Sequence, residues 1–165
     1  MTSRATRQIG VISDTHGLLR PQALTALRGC DPIIHAGDVG DESVLEGLRD
    51  IAPVFAVRGN IDKGAFAETL PETALVQVDD RLLYVLHDRD ALDLDPQAAG
   101  FHAVIFGHSH RPLIEWKHGV LWFNPGSAGP RRFKLPATVG RLILSRGELG
   151  AQVIDLEDGG ASARP

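Results

Sequence analysis

The chain reads as α/β, with two packed sheets flanked by helices, and three features of its pattern predict this. Up to Asp62 an apolar run, a polar exit and a helix-type stretch follow one another repeatedly, which points to parallel strands whose ends face one way. After Pro71 the apolar runs come in pairs around short turn signals, as antiparallel hairpins do. About ten strand-length runs against few helical ones call for more than one sheet.

Gln8 to Ser13 is the first buried strand, and Asp14-Thr15-His16-Gly17 leaves its end. Pro21 opens a helix through Leu27, with Leu24 and Leu27 on one face and Gly29 ending it. Pro32 to His35 is the second strand; it runs out into Ala36-Gly37-Asp38-Val39-Gly40, and Asp41 caps a helix containing Val44, Leu45 and Leu48. Pro53 to Val57 leads into Arg58-Gly59-Asn60-Ile61-Asp62. Thr73 to Val78 and Leu82 to Leu86 form a hairpin over Asp79-Asp80-Arg81, and the second strand ends at His87. An acidic connection follows, with one helical turn at Asp95-Pro96. Ala103 to Phe106 then exits into Gly107-His108-Ser109-His110. Leu113 to Lys117 and Val120 to Phe123 pair around His118-Gly119 and empty into Asn124-Pro125-Gly126-Ser127. Thr138 to Ser145 and Leu149 to Asp155 form the last hairpin, around Arg146-Gly147.

A chain of 165 residues suits one domain, 1–165, with residues 1–7 and 158–165 as flexible tails. Its 43% hydrophobic and 23% charged content is that of a globular protein, and no membrane partner is expected. A net charge of −4 disfavours duplex nucleic acid as a partner, because a phosphate backbone needs a basic face. The single cysteine, Cys30, can form neither an internal disulfide nor a zinc ribbon. With no signal-peptide core after Arg7, the expected location is the cytoplasm. The sequence leaves room for a homo-oligomer.

The strand exits carry Asp14 and His16, Asp38, Asn60, His87, and His108 with His110. Taken singly, each is an ordinary loop residue or cap. Ligand-type residues at five separate exits point instead to a metal site. Oxygen and nitrogen donors without thiolate suit Mn²⁺, Fe²⁺, Ni²⁺ or Zn²⁺ better than Ca²⁺. Seven donors exceed the needs of one ion and serve two if one carboxylate is shared. Two divalent ions, two aspartates and one bridging hydroxide sum to about +1, so such a centre attracts phosphate oxygens. His35 lies inside a strand, His102 precedes one and His118 sits in a turn, so these three are structural by position. Asp90, Asp93 and Asp95 read as a solvated acidic loop.

The ordered set Asp-x-His, Gly-Asp, Gly-Asn-x-Asp, a lone His, Gly-His-Ser-His and Asn-Pro-Gly-Ser resembles the calcineurin-like metallophosphoesterase superfamily, in its small YfcE-like phosphodiesterase branch. The resemblance runs from Ile9 to about Asp155. It implies a four-layer α/β/β/α sandwich with a dinuclear site at one edge of the sheets. By the same resemblance Asp14, His16 and His110 bind a first metal, and Asn60, His87 and His108 a second. Asp38 bridges the two, with Mn²⁺ the first choice of ion. Asp38, Asn60 and Asp62 form the catalytic group, Asp62 by orienting its loop. The implied reaction is hydrolysis of a small or nucleotide-like phosphodiester by attack of a metal-bridging hydroxide on phosphorus.

Two departures from the family pattern bear on the substrate. Larger members place a His after the metal-binding Asn to assist catalysis, whereas Ile61 stands here, so esters with good leaving groups are favoured. His87-Asp88-Arg89 replaces the usual His-Gly-His, which adds a carboxylate beside the second metal and an arginine able to contact phosphate. Arg131 and Arg132 are further clamp candidates, because guanidinium forks fit phosphate oxygens. By the resemblance, Asn124 to Ser127 match a loop that supports the site from the second sheet, either as a tight turn or in direct contact with substrate, so Arg89, Arg131, Asn124 and Ser127 are the expected substrate contacts. The competing functions are a non-catalytic scaffold of the same fold, as in a retromer subunit whose metal motifs have eroded, and a nuclease or phosphomonoesterase.

Overall fold

A computed structural model describes residues 5–132, 134–157 and 161–163. The first sheet contains β1 (Arg7–Ile12), β2 (Ile33–His35), β3 (Val54–Ala56), β9 (Thr138–Ser145), β10 (Glu148–Asp155) and β11 (Ala161–Ala163), in the order β11-β10-β9-β1-β2-β3. The second contains β4 (Thr73–Val78), β5 (Arg81–Leu86), β6 (Ala103–Ile105), β7 (Leu113–Lys117) and β8 (Val120–Asn124), in the order β4-β5-β6-β8-β7.

Each sheet has a parallel core. β1 aligns Gly10 with Ile33 of β2, and β2 aligns Ile33 with Val54 of β3. In the second sheet β6 runs parallel to β5 and to β8, pairing Val104 with Tyr84 and with Trp122. Parallel strands put their C-terminal ends on one edge, which is where open α/β sheets place their chemistry. The exits of β1, β2, β3, β5 and β6 are the five motif-bearing loops.

Alternation of side chains sends one face of each sheet into a shared interior. Ile9, Val11 and Ile34 of the first sheet meet Leu83, Val85, Ile105 and Phe123 of the second. The outer face of the first sheet is covered by α1 (Pro21–Leu27) and α2 (Glu42–Arg49), which bury Leu27, Val44, Leu45 and Leu48 against Ile12 and Ile33. α2 starts where Asp41 accepts the Ser43 N–H at 2.8 Å, and Glu42 and Arg49 complement its dipole. Truncating fully buried Leu45 to Ala would cost about 2–5 kcal/mol. A thinner layer covers the second sheet, where a 3₁₀ turn, Arg89–Ala91, and the loop to Phe101 lie over Leu86, Val104 and Phe106. Among the described residues no helix is long and apolar enough to cross a membrane.

Most elements stand within one or two residues of their sequence-predicted bounds, and the hairpin turns fall at Asp79, His118 and Arg146, each with positive φ. The Asp95-Pro96 turn forms, closed by the Ala99 N–H on the Asp95 carbonyl at 3.0 Å. Two elements escaped the sequence reading. α3 (Gly64–Glu68) begins at a glycine after an N-cap Lys63 that makes no side-chain cap, so it carries no start signal. β11 lies in the stretch expected to be a frayed tail; Ala161–Ala163 instead pairs antiparallel with β10. Apart from these three residues, the expected tail 158–165 lies outside the described residues, as does the start of the expected tail 1–7 through Arg4.

Candidate metal centre

Five of the seven expected ligands adopt a backbone conformation that non-glycine residues rarely take. Asp14, His16, Asp38, His108 and His110 have φ of 56°, 48°, 54°, 72° and 63°. Left-handed φ costs roughly 1–3 kcal/mol per non-glycine residue and persists where surrounding structure holds it. Part of that hold is a set of hydrogen bonds between neighbouring strand exits within each sheet. The Asp14 N–H reaches the Gly37 carbonyl at 3.0 Å, the Gly107 N–H reaches the His87 carbonyl at 2.9 Å, and the His16 N–H reaches the Asp38 carbonyl at 2.9 Å. Two glycines make this close approach sterically feasible. A Cβ on Gly59 would overlap the Asp38 backbone and carboxylate, and one on Gly107 would overlap Ser13 Oγ and the Asp14 carboxylate.

Asp14 is fully buried, and its two oxygens have different fates. Oδ2 accepts from Ser13 Oγ at 2.7 Å and from the His108 N–H at 3.1 Å. Oδ1 is without a hydrogen-bond partner, 3.3 Å from His110 Nε2 and 3.8 Å from His87 Nε2. Asp38 divides likewise: Oδ1 accepts the Ile61 N–H at 3.0 Å, while Oδ2 stands 3.6 Å from His16 Nε2 and 3.3 Å from His87 Nε2. Asn60 Oδ1 lies 3.0 Å from His87 Nε2 and 3.2 Å from His108 Nδ1. All seven predicted ligands therefore meet at one edge. Asp14, His16 and His110 form one group of converging donor atoms and Asp14, Asp38 and His87 another, so Asp14 is common to both, while Asp38 Oδ2 lies near His16 and His87.

The surroundings set protonation. Burial lowers His16, opposed by Asp38 and Asp14, and the balance leaves its imidazole below its ordinary pKa. Burial also pulls on His87, but Asp38, Asp14 and the Ala36 carbonyl overcome it and raise its pKa. His87 Nδ1–H donates to the Ala36 carbonyl at 2.8 Å, which leaves Nε2 to face the carboxylates. Burial pushes the Asp38 carboxyl up, and hydrogen bonds from His87 and the Ile61 amide reverse this, so it ends below the usual value.

These residues fit a metal. Asp14 Oδ1 and His16 Nε2 are buried polar atoms without hydrogen-bond partners, and an unpartnered buried polar atom is expensive unless something satisfies it. The donors are oxygen and nitrogen, suited to first-row divalent ions. A model of the calcineurin-like phosphoesterase superfamily domain matches residues 8–147. The chain belongs to that superfamily. The chain is similar to a probable metallophosphoesterase, MJ0623, of Methanocaldococcus jannaschii, at 34% identity covering 93% of this chain and 83% of the relative. It is 28% identical to the phosphodiesterase YfcE of Escherichia coli over 79% of this chain and 84% of YfcE. The solved YfcE structure superposes with a TM-score of 0.71, covering 94% of this chain and 97% of that one. Vacuolar Protein Sorting 29 of Cryptosporidium parvum shares the fold, with a TM-score of 0.80 at 20% identity over 98% and 97% of the two chains.

Several expected contacts have other tasks in the phosphoesterase fold. Asp62, expected in the catalytic group as the residue that orients its loop, has a carboxylate that accepts the backbone N–H groups of Val39, Gly40 and Gly59 at 3.2, 2.9 and 2.9 Å. Asn124, expected at substrate, is fully buried, donates to the Gly107 carbonyl at 3.0 Å and Ser109 Oγ at 3.1 Å, and accepts from the Gly126 N–H. Ser127 donates to the Asp14 carbonyl at 3.1 Å. Both brace ligand loops from the second sheet and its exit. Arg131 pairs with Glu157 at 3.1 Å, and the crevice it shares with His110 has about 10 Å³, too little for a phosphate. Arg89 lies over the Phe106 ring at 5.3 Å, on the rim of a groove beside His108. The sequence reading missed the bracing by Ser13 and Thr15. Thr15 Oγ1 donates to the Val39 carbonyl at 2.8 Å and meets His35 Nε2 at 2.9 Å, while His35 Nδ1 accepts the Gly37 N–H. The Asp-x-His motif singles out its outer residues and is silent on the hydroxyls beside them.

Proposed function

We propose that this chain is a dinuclear metal-dependent phosphodiesterase acting on a small or nucleotide-like phosphodiester. The observation that carries the reading is Asp14 Oδ1, buried, without a hydrogen-bond partner, and facing both His110 and His87. Asp14, His16 and His110 would hold one ion, Asn60, His87 and His108 the other, and Asp38 both. Mn²⁺ is the first candidate, with Fe²⁺, Ni²⁺ and Zn²⁺ compatible with the same donors. Bound there, two ions supply Lewis acidity toward phosphate oxygens and activate water at neutral pH.

The chain's own residues fix the geometry of that chemistry. The Ser13 hydroxyl and the His108 amide engage Asp14 Oδ2 and direct Oδ1 into the site. The Ala36 carbonyl holds the His87 ring in one tautomer. Asp62 ties the Asp38 loop to the Asn60 loop and acts as a positioning residue. Ile61, 37% exposed, offers no proton to a departing alkoxide, so a leaving group must already be a weak base or take its proton from water.

Metal analysis together with hydrolysis of bis-p-nitrophenyl phosphate tests the proposal. Two ions per chain and p-nitrophenol release with at least one of Mn²⁺, Ni²⁺, Fe²⁺ or Zn²⁺ are expected. No release with any of them would overturn it. The likeness to Vacuolar Protein Sorting 29 raises the alternative of a scaffold, but convergence of all seven donors supports the enzyme. A protein complex that survives loss of both metal and the Asn60 side chain would favour the scaffold.

A further inference from the structure

Beside the metal centre runs a groove of about 380 Å³ between the 3₁₀ turn and the start of β7. Volumes of this order hold a nucleotide-sized group. Its wall includes His108, so it opens directly from the side of the site assigned to the second ion. Arg89 and Arg111 also line it, one just past the ligand His87 and the other directly after the ligand His110. Among the described residues neither guanidinium has a carboxylate partner. Arg89 is steadied over the Phe106 ring at 5.3 Å, and the Arg111 backbone is anchored by its N–H on Ser109 Oγ at 3.2 Å.

The groove also carries two carboxylates. Asp88 Oδ1 accepts the Asp90 N–H at 3.0 Å and its Oδ2 stands 3.9 Å from His108 Nε2, while Asp90 is exposed. Two arginines and two aspartates lining one groove suit a ligand with both an anion and hydroxyls. Arginine takes the phosphate and the carboxylates accept the hydroxyl protons. That combination is a phosphorylated sugar.

The position of the groove says which part of a diester it would receive. In an in-line displacement the entering oxygen and the departing one lie opposite each other at phosphorus. Asp14 and Asp38 form the buried floor of the site, so the leaving group departs outward to solvent. The ester group that stays on phosphorus then lies to the side, and the groove beside His108 is such a side. We propose that this groove is the subsite for the retained ester group, and that the preferred substrate is a phosphodiester of a sugar carrying a second phosphate, clamped by Arg89 and Arg111.

This inference rests on the phosphodiesterase reading, and one set of assays separates the two. The probes are bis-p-nitrophenyl phosphate, the p-nitrophenyl ester of thymidine 5′-phosphate, and the same ester with an added 3′-phosphate. Wild-type metal-loaded protein is expected to use the 3′-phosphorylated ester with a kcat/KM about tenfold above the unphosphorylated one, mainly through KM. Arg89→Ala and Arg111→Ala should each bring that ratio toward unity, and Lys117→Ala, on β7 and stacked on Trp122, should leave it as in wild type. Calorimetry with thymidine 3′,5′-bisphosphate should show the same loss in both arginine variants. Equal use of the two thymidine esters, or a preference that survives in both variants, overturns the groove assignment while leaving the phosphodiesterase intact. No release from bis-p-nitrophenyl phosphate by wild type overturns both.

Discussion

Asp62 and Asp38 bind the same two loops in opposite directions. Asp62 Oδ2, from beyond Asn60, accepts the Val39 N–H at 3.2 Å, and Asp38 Oδ1 accepts the Ile61 N–H at 3.0 Å. The Gly59 N–H closes the arrangement on Asp62 at 2.9 Å. One carboxylate thereby sets the loop that aims the other, along with Asn60, at the metal centre.

Removing Asp62 should therefore act through the fold. Asp62→Ala leaves three backbone donors without their acceptor, at about 1–3 kcal/mol for each that water cannot reach. Urea unfolding should show a loss of several kcal/mol, with metal affinity falling in parallel. Full stability with lost activity would mean that Asp62 touches the substrate directly.

The raised pKa of His87 makes metal binding compete with a proton. In metal-free protein the His87 imidazolium between Asp38 and Asp14 contributes stability that is complete below the ordinary histidine pKa of 6.5 and is lost as pH rises through the higher folded value. A metal held by His87 would take the place of that proton. Calorimetric titration with Mn²⁺ near pH 6.5, in buffers of different ionisation enthalpy, should show release of up to about one proton per site, declining at higher pH. His87→Gln should abolish the release.

His35 predicts a second and opposite pH effect. Burial lowers its pKa from 6.5 to about 4, so between these values the unfolded chain binds a proton that the folded chain does not. Stability must then fall as pH drops through that window, by on the order of 3 kcal/mol. Urea unfolding in EDTA at pH 7 and pH 4.5 should show the decline. His35→Gln, which keeps a donor for Thr15, should show a shallower slope even if it is less stable throughout.

Gly107→Ala tests the close approach behind Asp14. The added methyl would meet Ser13 Oγ and Asp14 Oδ2, so overpacking of about 1–3 kcal/mol and a displaced ligand are expected. Weaker binding of at least one ion, measured by metal analysis after dialysis, checks this; unchanged metal content would show that the loop relaxes freely.

Arg131→Ala should leave kcat/KM within about twofold, because an exposed pair with Glu157 contributes little. A tenfold rise in KM would restore the arginine to the phosphate clamp that the sequence places there.

The local pattern of the chain located β1 to β10, because buried strands and their glycine-bearing exits leave local signals, and it named the seven donor-type residues that the fold brings to one edge, because donor chemistry belongs to residue type. It also separated His35 from the ligands by its place inside a strand. Tertiary structure alone decided which polar residues brace and which face the ligand. Asn124 and Ser127 have side chains equal to either task, and only their partners across the fold commit them to backbone groups. The same holds for Arg131 and Arg89, whose roles depend on whether Glu157 or an open groove lies within reach. A hydrogen bond between residues distant in the chain leaves no mark on the pattern of either segment, since its energy depends on a few tenths of an ångström that only packing supplies.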